Sequence, residues 1–154
     1  MFQKVRETKF PPAKVTMYWD GDCSFCRFWT SNWDKLLKAK VQFEPYQNGI
    51  GQFQDLDPQI FKEASRLIEE DGHIYSGPDS AYRSLYLAGK YSWLHKSYQR
   101  NVLFRNFSDR LYQWIATNRG FCFRITKLLF GSDPMNLRPF WAIYLFVILF
   151  LILS

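Results

Sequence analysis

At 154 residues with 47% hydrophobic content, the chain is long enough for one domain with a real core and too apolar to be disordered. Its three cysteines, with Cys122 far from Cys23 and Cys26, exclude a disulfide-stapled secreted scaffold and point to a reducing compartment. The net charge of +6 is uneven, because after Gly77 the only acidic residues are Asp79, Asp109 and Asp133; a basic second half suits the phosphates of anionic lipid or nucleic acid.

Residues 1–13 are polar, contain Pro11-Pro12 and lack an apolar h-region, so they read as an extended arm and not as a signal peptide. Val15 to Trp19 is a short β-favouring run ending at Asp20-Gly21-Asp22. Phe25, Phe28, Trp29, Trp33, Leu36 and Leu37 then recur at intervals of three and four, while Arg27, Lys35 and Lys38 fall elsewhere, which predicts an amphipathic helix from near Ser24. Val41 to Tyr46 alternates and breaks at Asn48-Gly49, as a second strand closing a parallel β–α–β unit would. Gly49 to Asp55 reads as loop, and Asp57-Pro58 opens a short helix to about Lys62, with Asp57 able to cap it.

Arg66 to Glu70 and His73 to Ser76 flank Asp71-Gly72, a signal for a hairpin with a two-residue turn. Gly77-Pro78-Asp79 starts a further helix carrying Ala81, Tyr82, Leu85, Tyr86 and Ala88, and Gly89 ends it. The predicted class is α/β, ordered β-α-β-(α)-β-β-α over residues 14–89. Residues 90–130 form a helical extension in which Gly120 is a candidate break, Cys122 lies on an apolar face, and His95 falls in a polar, aromatic loop. Residues 131–138 are a linker around Gly131-Ser132-Asp133-Pro134.

The remaining segment, 139–154, is apolar or aromatic from Phe140 to Leu153. As a helix it reaches about 21–24 Å against a hydrocarbon core of about 30 Å, yet it lacks the polar face that a core helix keeps. It is read as a single-pass C-terminal membrane anchor, with Trp141 and Tyr144 at the interface and Arg124, Lys127 and Arg138 holding the globular part on the cytoplasmic side. The alternative is a soluble cytoplasmic protein that buries this helix in an oligomer of unspecified order.

Chemistry concentrates at Cys23-Ser24-Phe25-Cys26, at the first strand-to-helix junction. A helix N-terminus presents unpaired N–H groups and positive dipole, which stabilise a thiolate, so the pair reads as a redox dithiol; Asp22 opposes this as a like charge. The alternative is two cysteines packed as small hydrophobes. Zinc needs four ligands, and Cys122, His73 and His95 form no second cluster, so no metal or other cofactor is assigned. Asp20-Gly21-Asp22 after a strand also matches the haloacid-dehalogenase presentation of a nucleophilic aspartate, but that leaves the thiols unexplained and lacks its later acidic pair. Arg100, Arg105, Arg110, Arg119, Arg124 and Lys127 among aromatics are compatible with single-stranded nucleic acid; beside an apolar tail they are read as lipid-facing, and nucleic acid is not assigned as a partner.

The stretch Tyr18 to Cys26, with Asp71 to Gly77, Ser80-Ala81 and Tyr112 to Arg119, resembles the DCC family of thiol-disulfide oxidoreductases, over roughly Lys14 to Phe130. The resemblance implies a thioredoxin-like core and protein-disulfide reductase activity, with Cys23 attacking a protein or small-molecule disulfide and Cys26 resolving the mixed disulfide, an external thiol serving as electron donor. Asp20 is a candidate proton acceptor from Cys26, or a turn-former; Asp22 is a candidate helix cap. Thioredoxins carry a cis-proline facing the site, and the matching position here is about Ala64. The non-enzymatic alternative is a membrane-tethered binding or structural module on the same fold.

Overall fold

A computed structural model describes residues 2–37 and 40–153, with the side chains of residues 147, 150 and 153 undescribed. Met1, Lys38 and Ser154, which the sequence reading assigns to the arm, the polar helix face and the tail, lie outside the described residues. The chain runs β1 (Thr16–Trp19), α1 (Ser24–Leu37), β2 (Gln42–Pro45), α2 (Tyr46–Gly49), a 3-10 turn (Ile50–Gln52), α3 (Gln59–Glu63), β3 (Arg66–Ile68), β4 (Ile74–Ser76), α4 (Pro78–Leu87), α5 (Ser92–Arg100), α6 (Val102–Thr117), α7 (Arg119–Phe130) and α8 (Phe140–Leu153). This is a mixed α/β fold on a four-stranded sheet ordered β2-β1-β3-β4.

β1 is central, parallel to β2 and antiparallel to β3, and β3 pairs antiparallel with β4. Successive strand residues face opposite sides, so both sheet faces carry a core. Tyr18, Ile68 and Ile74 pack with Tyr46, Phe53 and Phe61 on one side. Met17 and Leu67 pack with Leu37, Val41 and Leu85 on the other. Helix α1 therefore begins where a strand paired on both edges ends, which attaches the Cys23–Cys26 segment to the middle of the sheet.

The arm is extended as expected, but it is docked. Arg6 accepts from the Ile74 N–H at 2.7 Å, Thr8 N–H donates to Gly72 at 2.9 Å, and Glu7 bridges His73, so the arm covers the free edge of β4. Arg66, fully buried on β3, ties it down further: its guanidinium donates to the Ile60 carbonyl at 2.8 and 3.2 Å and to the Gln3 carbonyl at 2.7 Å. Burial pushes this guanidinium down to about 10.

Four local expectations are corrected. The hairpin turn spans three residues, not two: Gly72 N–H donates to the Glu69 carbonyl, Glu69 N–H donates to the His73 carbonyl, and Gly72 sits at φ +89° between them, as in a turn followed by a bulge. A Cβ on Gly72 would meet the Thr8 carbonyl oxygen at 2.4 Å, so this position needs glycine for space as well as backbone angle. The chain turns into α2 at Tyr46, which the sequence reading keeps in the strand, and Gly49 to Asp55, expected as loop, holds the last residue of α2 and the 3-10 turn. His95 is in α5, not a loop; it is buried, with Nδ1 3.2 Å from Asp79. The break between α6 and α7 falls at Asn118 (φ −119°, ψ 31°), whose side chain donates back to the Trp114 carbonyl, while Gly120 continues inside α7 at a cost of only about 1 kcal/mol.

The membrane anchor is also corrected. Among the described residues no helix is long and apolar enough to cross a membrane. α8 has 14 residues, about 21 Å at 1.5 Å per residue, and Pro139 immediately before it prevents extension toward the N-terminus. It leans on α7, with the Arg138 N–H donating to the Phe130 carbonyl.

Burial raises the phenols of Tyr18, Tyr75 and Tyr98 above their ordinary value of 10.0; at Tyr98 the hydrogen bond to Asp109 adds to the effect. Above pH 10 the unfolded chain sheds these protons while the folded chain retains them, so their contribution to stability is whole below that pH and is lost as pH rises. Arg66, pushed down by burial, acts in the opposite sense from about pH 10 upward. Urea midpoints are expected to fall between about pH 9 and pH 11, and Tyr98→Phe should shallow that fall; an equal fall in the variant would contradict the assignment.

Candidate active site at the first strand-to-helix junction

Cys23 and Cys26 form a disulfide with Cα atoms 5.2 Å apart. Cys23 occupies the position before the first helical residue: its carbonyl accepts from the Arg27 N–H at 2.9 Å, and its Sγ accepts from the Cys26 N–H at 3.1 Å. A serine or aspartate oxygen in an N-cap makes this same bond three residues ahead. The sulfur of Cys23 thus takes the cap site, where the N–H and the helix dipole both favour negative charge on it.

That arrangement corrects the cap expected of Asp22. Asp22 is exposed, and its carboxylate accepts from Gln47 Nε2 at 3.3 Å. Asp20 closes the turn, accepting the Asp22 N–H and Gln47 Nε2 on one oxygen, both at 3.2 Å, and pairing its other oxygen with Arg119 Nη1 at 2.8 Å. Gly21 donates to Gln47 Oε1 at 3.0 Å, and a Cβ there would come within 3.0 Å of both that oxygen and Pro45. Glycine permits this approach. Arg27 Nη2 closes the loop from the helix side, donating to the Gly21 carbonyl at 2.8 Å.

Two members of the site, Gln47 and Arg119, were not singled out as site residues from the sequence. Gln47 follows β2, which runs parallel to β1, so both strand ends open on the same side of the sheet; that topology is the signal that could have found it. Arg119 begins α7 and also donates to the Lys62 carbonyl at 3.0 Å. The sequence alone marks it only as one basic residue among several and as the end of a resembling stretch.

Beneath the junction lies a cavity of about 650 Å³ between the sheet and α1 on one side and α6 and α7 on the other. Asp20, Cys26, Arg119 and Cys122 all line it. Cys122, expected to be buried, is only partly so. Ala64, which the sequence reading matches to the thioredoxin cis-proline, is extended (φ −155°, ψ 153°), buried and also in the cavity wall. His73 is exposed at the hairpin and His95 is packed by Tyr75 and Tyr86, so neither histidine joins the site.

The family model described as DCC1-like thiol-disulfide oxidoreductase matches residues 17–125. No curated protein and no solved structure matches the chain.

Proposed function

Because the chain belongs to the DCC1-like thiol-disulfide oxidoreductase family, matched over most of its length, and is an oxidoreductase, we propose that it reduces protein or small-molecule disulfides by dithiol exchange on a thioredoxin-like core. The observation that carries this reading is the Cys26 N–H bond to Cys23 Sγ, which offers a reduced Cys23 the donor a thiolate needs. In the reduced state the Cys23 thiolate attacks one substrate sulfur, forming a mixed disulfide and releasing the other sulfur as a thiolate. Cys26 then attacks Cys23 Sγ, closing the internal disulfide and freeing the second substrate thiol. An external dithiol or two monothiols reverse the internal bond and complete the cycle.

Asp20 is the proposed acceptor for the Cys26 proton during resolution, since it shares the cavity wall with Cys26 and is held in place by Arg119 and Gln47. Asp22, held by Gln47 beside Cys23, adds a like charge that limits how far the thiolate is favoured. The test is Cys26→Ser. That variant is expected to accumulate a covalent mixed disulfide through Cys23, seen by mass spectrometry as the mass of a bound half-substrate, while wild-type protein accumulates none. If Cys26→Ser turns over substrate as wild type does, with no adduct, the resolving role is wrong.

A further inference from the structure

We propose that the cavity behind Cys26 binds a neutral quinone ring, and that the reduced Cys23–Cys26 pair passes two electrons to it. This rests on the dithiol reading above and names a second substrate class for the same sulfurs.

The space comes first. About 650 Å³ falls within the range of small-molecule sites, roughly 300–1,000 Å³. Its wall is aromatic, with Trp19, Phe25, Trp29, Trp33, Tyr112 and Phe130 among the lining side chains, a surface that takes a flat apolar ring and gives a charged peptide little to bond. Two charged residues line it, Asp20 and Arg119, and they are spent on each other at 2.8 Å, so the wall offers no net charge to an ionic ligand. A neutral occupant follows.

The polar inventory narrows it further. Among the described residues the indole N–H groups of Trp19 and Trp29 are buried without a hydrogen-bond partner. An indole N–H can only donate, so the group that satisfies it must be an acceptor, such as a carbonyl oxygen. Both residues belong to the cavity wall, and a turn of either ring is what would present its donor to an occupant.

The sulfurs supply the redox requirement. Cys26 lines the cavity, whereas Cys23, which lies between the exposed Asp22 and Ser24, is not among the lining residues. One disulfide thus has a solvent-side sulfur for protein thiols and a cavity-side sulfur for an apolar reactant. A reactant that is flat, neutral, rich in carbonyl acceptors and able to take two electrons is a quinone. The step balances: the two thiols lose two electrons and two protons as the S–S bond forms, and the quinone's two carbonyl oxygens gain both to give the hydroquinone.

The probe is duroquinone, whose ring carries no open carbon for thiol addition, mixed anaerobically with the reduced full-length protein. Expected are saturable quenching of tryptophan fluorescence, loss of both active-site thiols and one hydroquinone per chain. Ala81→Leu, with Ile115→Trp as a second cavity-filling variant on another helix, should lower the ratio of the duroquinone rate to the hydroxyethyl-disulfide rate about tenfold, with folding checked by circular dichroism. An unchanged ratio in a folded variant, or quenching without oxidation of the thiols, overturns the quinone site. Wild-type protein that exchanges with hydroxyethyl disulfide but leaves duroquinone untouched overturns this inference alone; failure with both reactants overturns the dithiol reading and this one with it.

Discussion

Cys23→Ser is expected to reduce disulfide-reductase activity to background, by on the order of 10³-fold or more, with insulin reduction as the assay. The substitution is informative because of where the sulfur sits. Serine is among the preferred N-cap residues, and its oxygen can accept the Cys26 N–H bond that Cys23 Sγ accepts now. Compared with reduced wild-type protein, the helix start is therefore preserved, and Tm should move by no more than about 4 °C. A loss of activity without a loss of stability isolates the nucleophile from the scaffold. Unchanged turnover in Cys23→Ser would rule the scheme out.

Arg66→Ala carries the largest expected effect on stability, about 3–5 kcal/mol, or on the order of 10 °C in Tm by calorimetry. The guanidinium is fully buried and is pushed down to about 10 because burial penalises its charge. Its hydrogen bonds offset that penalty by satisfying the Ile60 and Gln3 carbonyls. Alanine removes the donor, takes from the Gln3 carbonyl its bond to Arg66, leaves the Ile60 carbonyl with the Ala64 N–H, and opens a hole beside β3. Arg66→Met fills much of the hole but satisfies neither carbonyl, so it should cost about half as much. A loss below about 1 kcal/mol in Arg66→Ala would contradict this role of the guanidinium.

Much of the core was legible because its signals are local. The apolar run Val15 to Trp19, the three-and-four spacing from Phe25 to Leu37 and the alternation from Val41 each sit inside one element, and the parallel pairing of β1 with β2 follows from the helix between them. The two thiols were legible for the same reason, since their spacing and the turn before them lie within nine residues of sequence, Tyr18 to Cys26.

What stayed hidden depends on distance along the chain. Gln47 reaches Asp20 across 27 positions and Arg119 reaches it across 99, and no local pattern encodes either contact. Residues 90–130 read as helical as a whole, but His95 reads as a loop residue because an imidazole gives no apolar signal until Asp79 arrives to bond it. The hairpin was assigned one residue too short because Asp-Gly fits both a two-residue turn and the last two positions of a turn followed by a bulge. Apolarity alone reads the tail as an anchor, and among the described residues no helix is long and apolar enough to cross a membrane.

Because Cys23 takes the cap position, the first turn of α1 and the reactivity of the sulfur are one equilibrium. Whenever thermal fraying lifts the Cys26 amide away, the anion forfeits its donor and grows harder to form. The grip of Arg27 and Gln47 on Gly21 limits such excursions. In this protein the stiffness of the turn from Asp20 to Cys26 becomes a chemical quantity, because it governs the donor that one sulfur keeps.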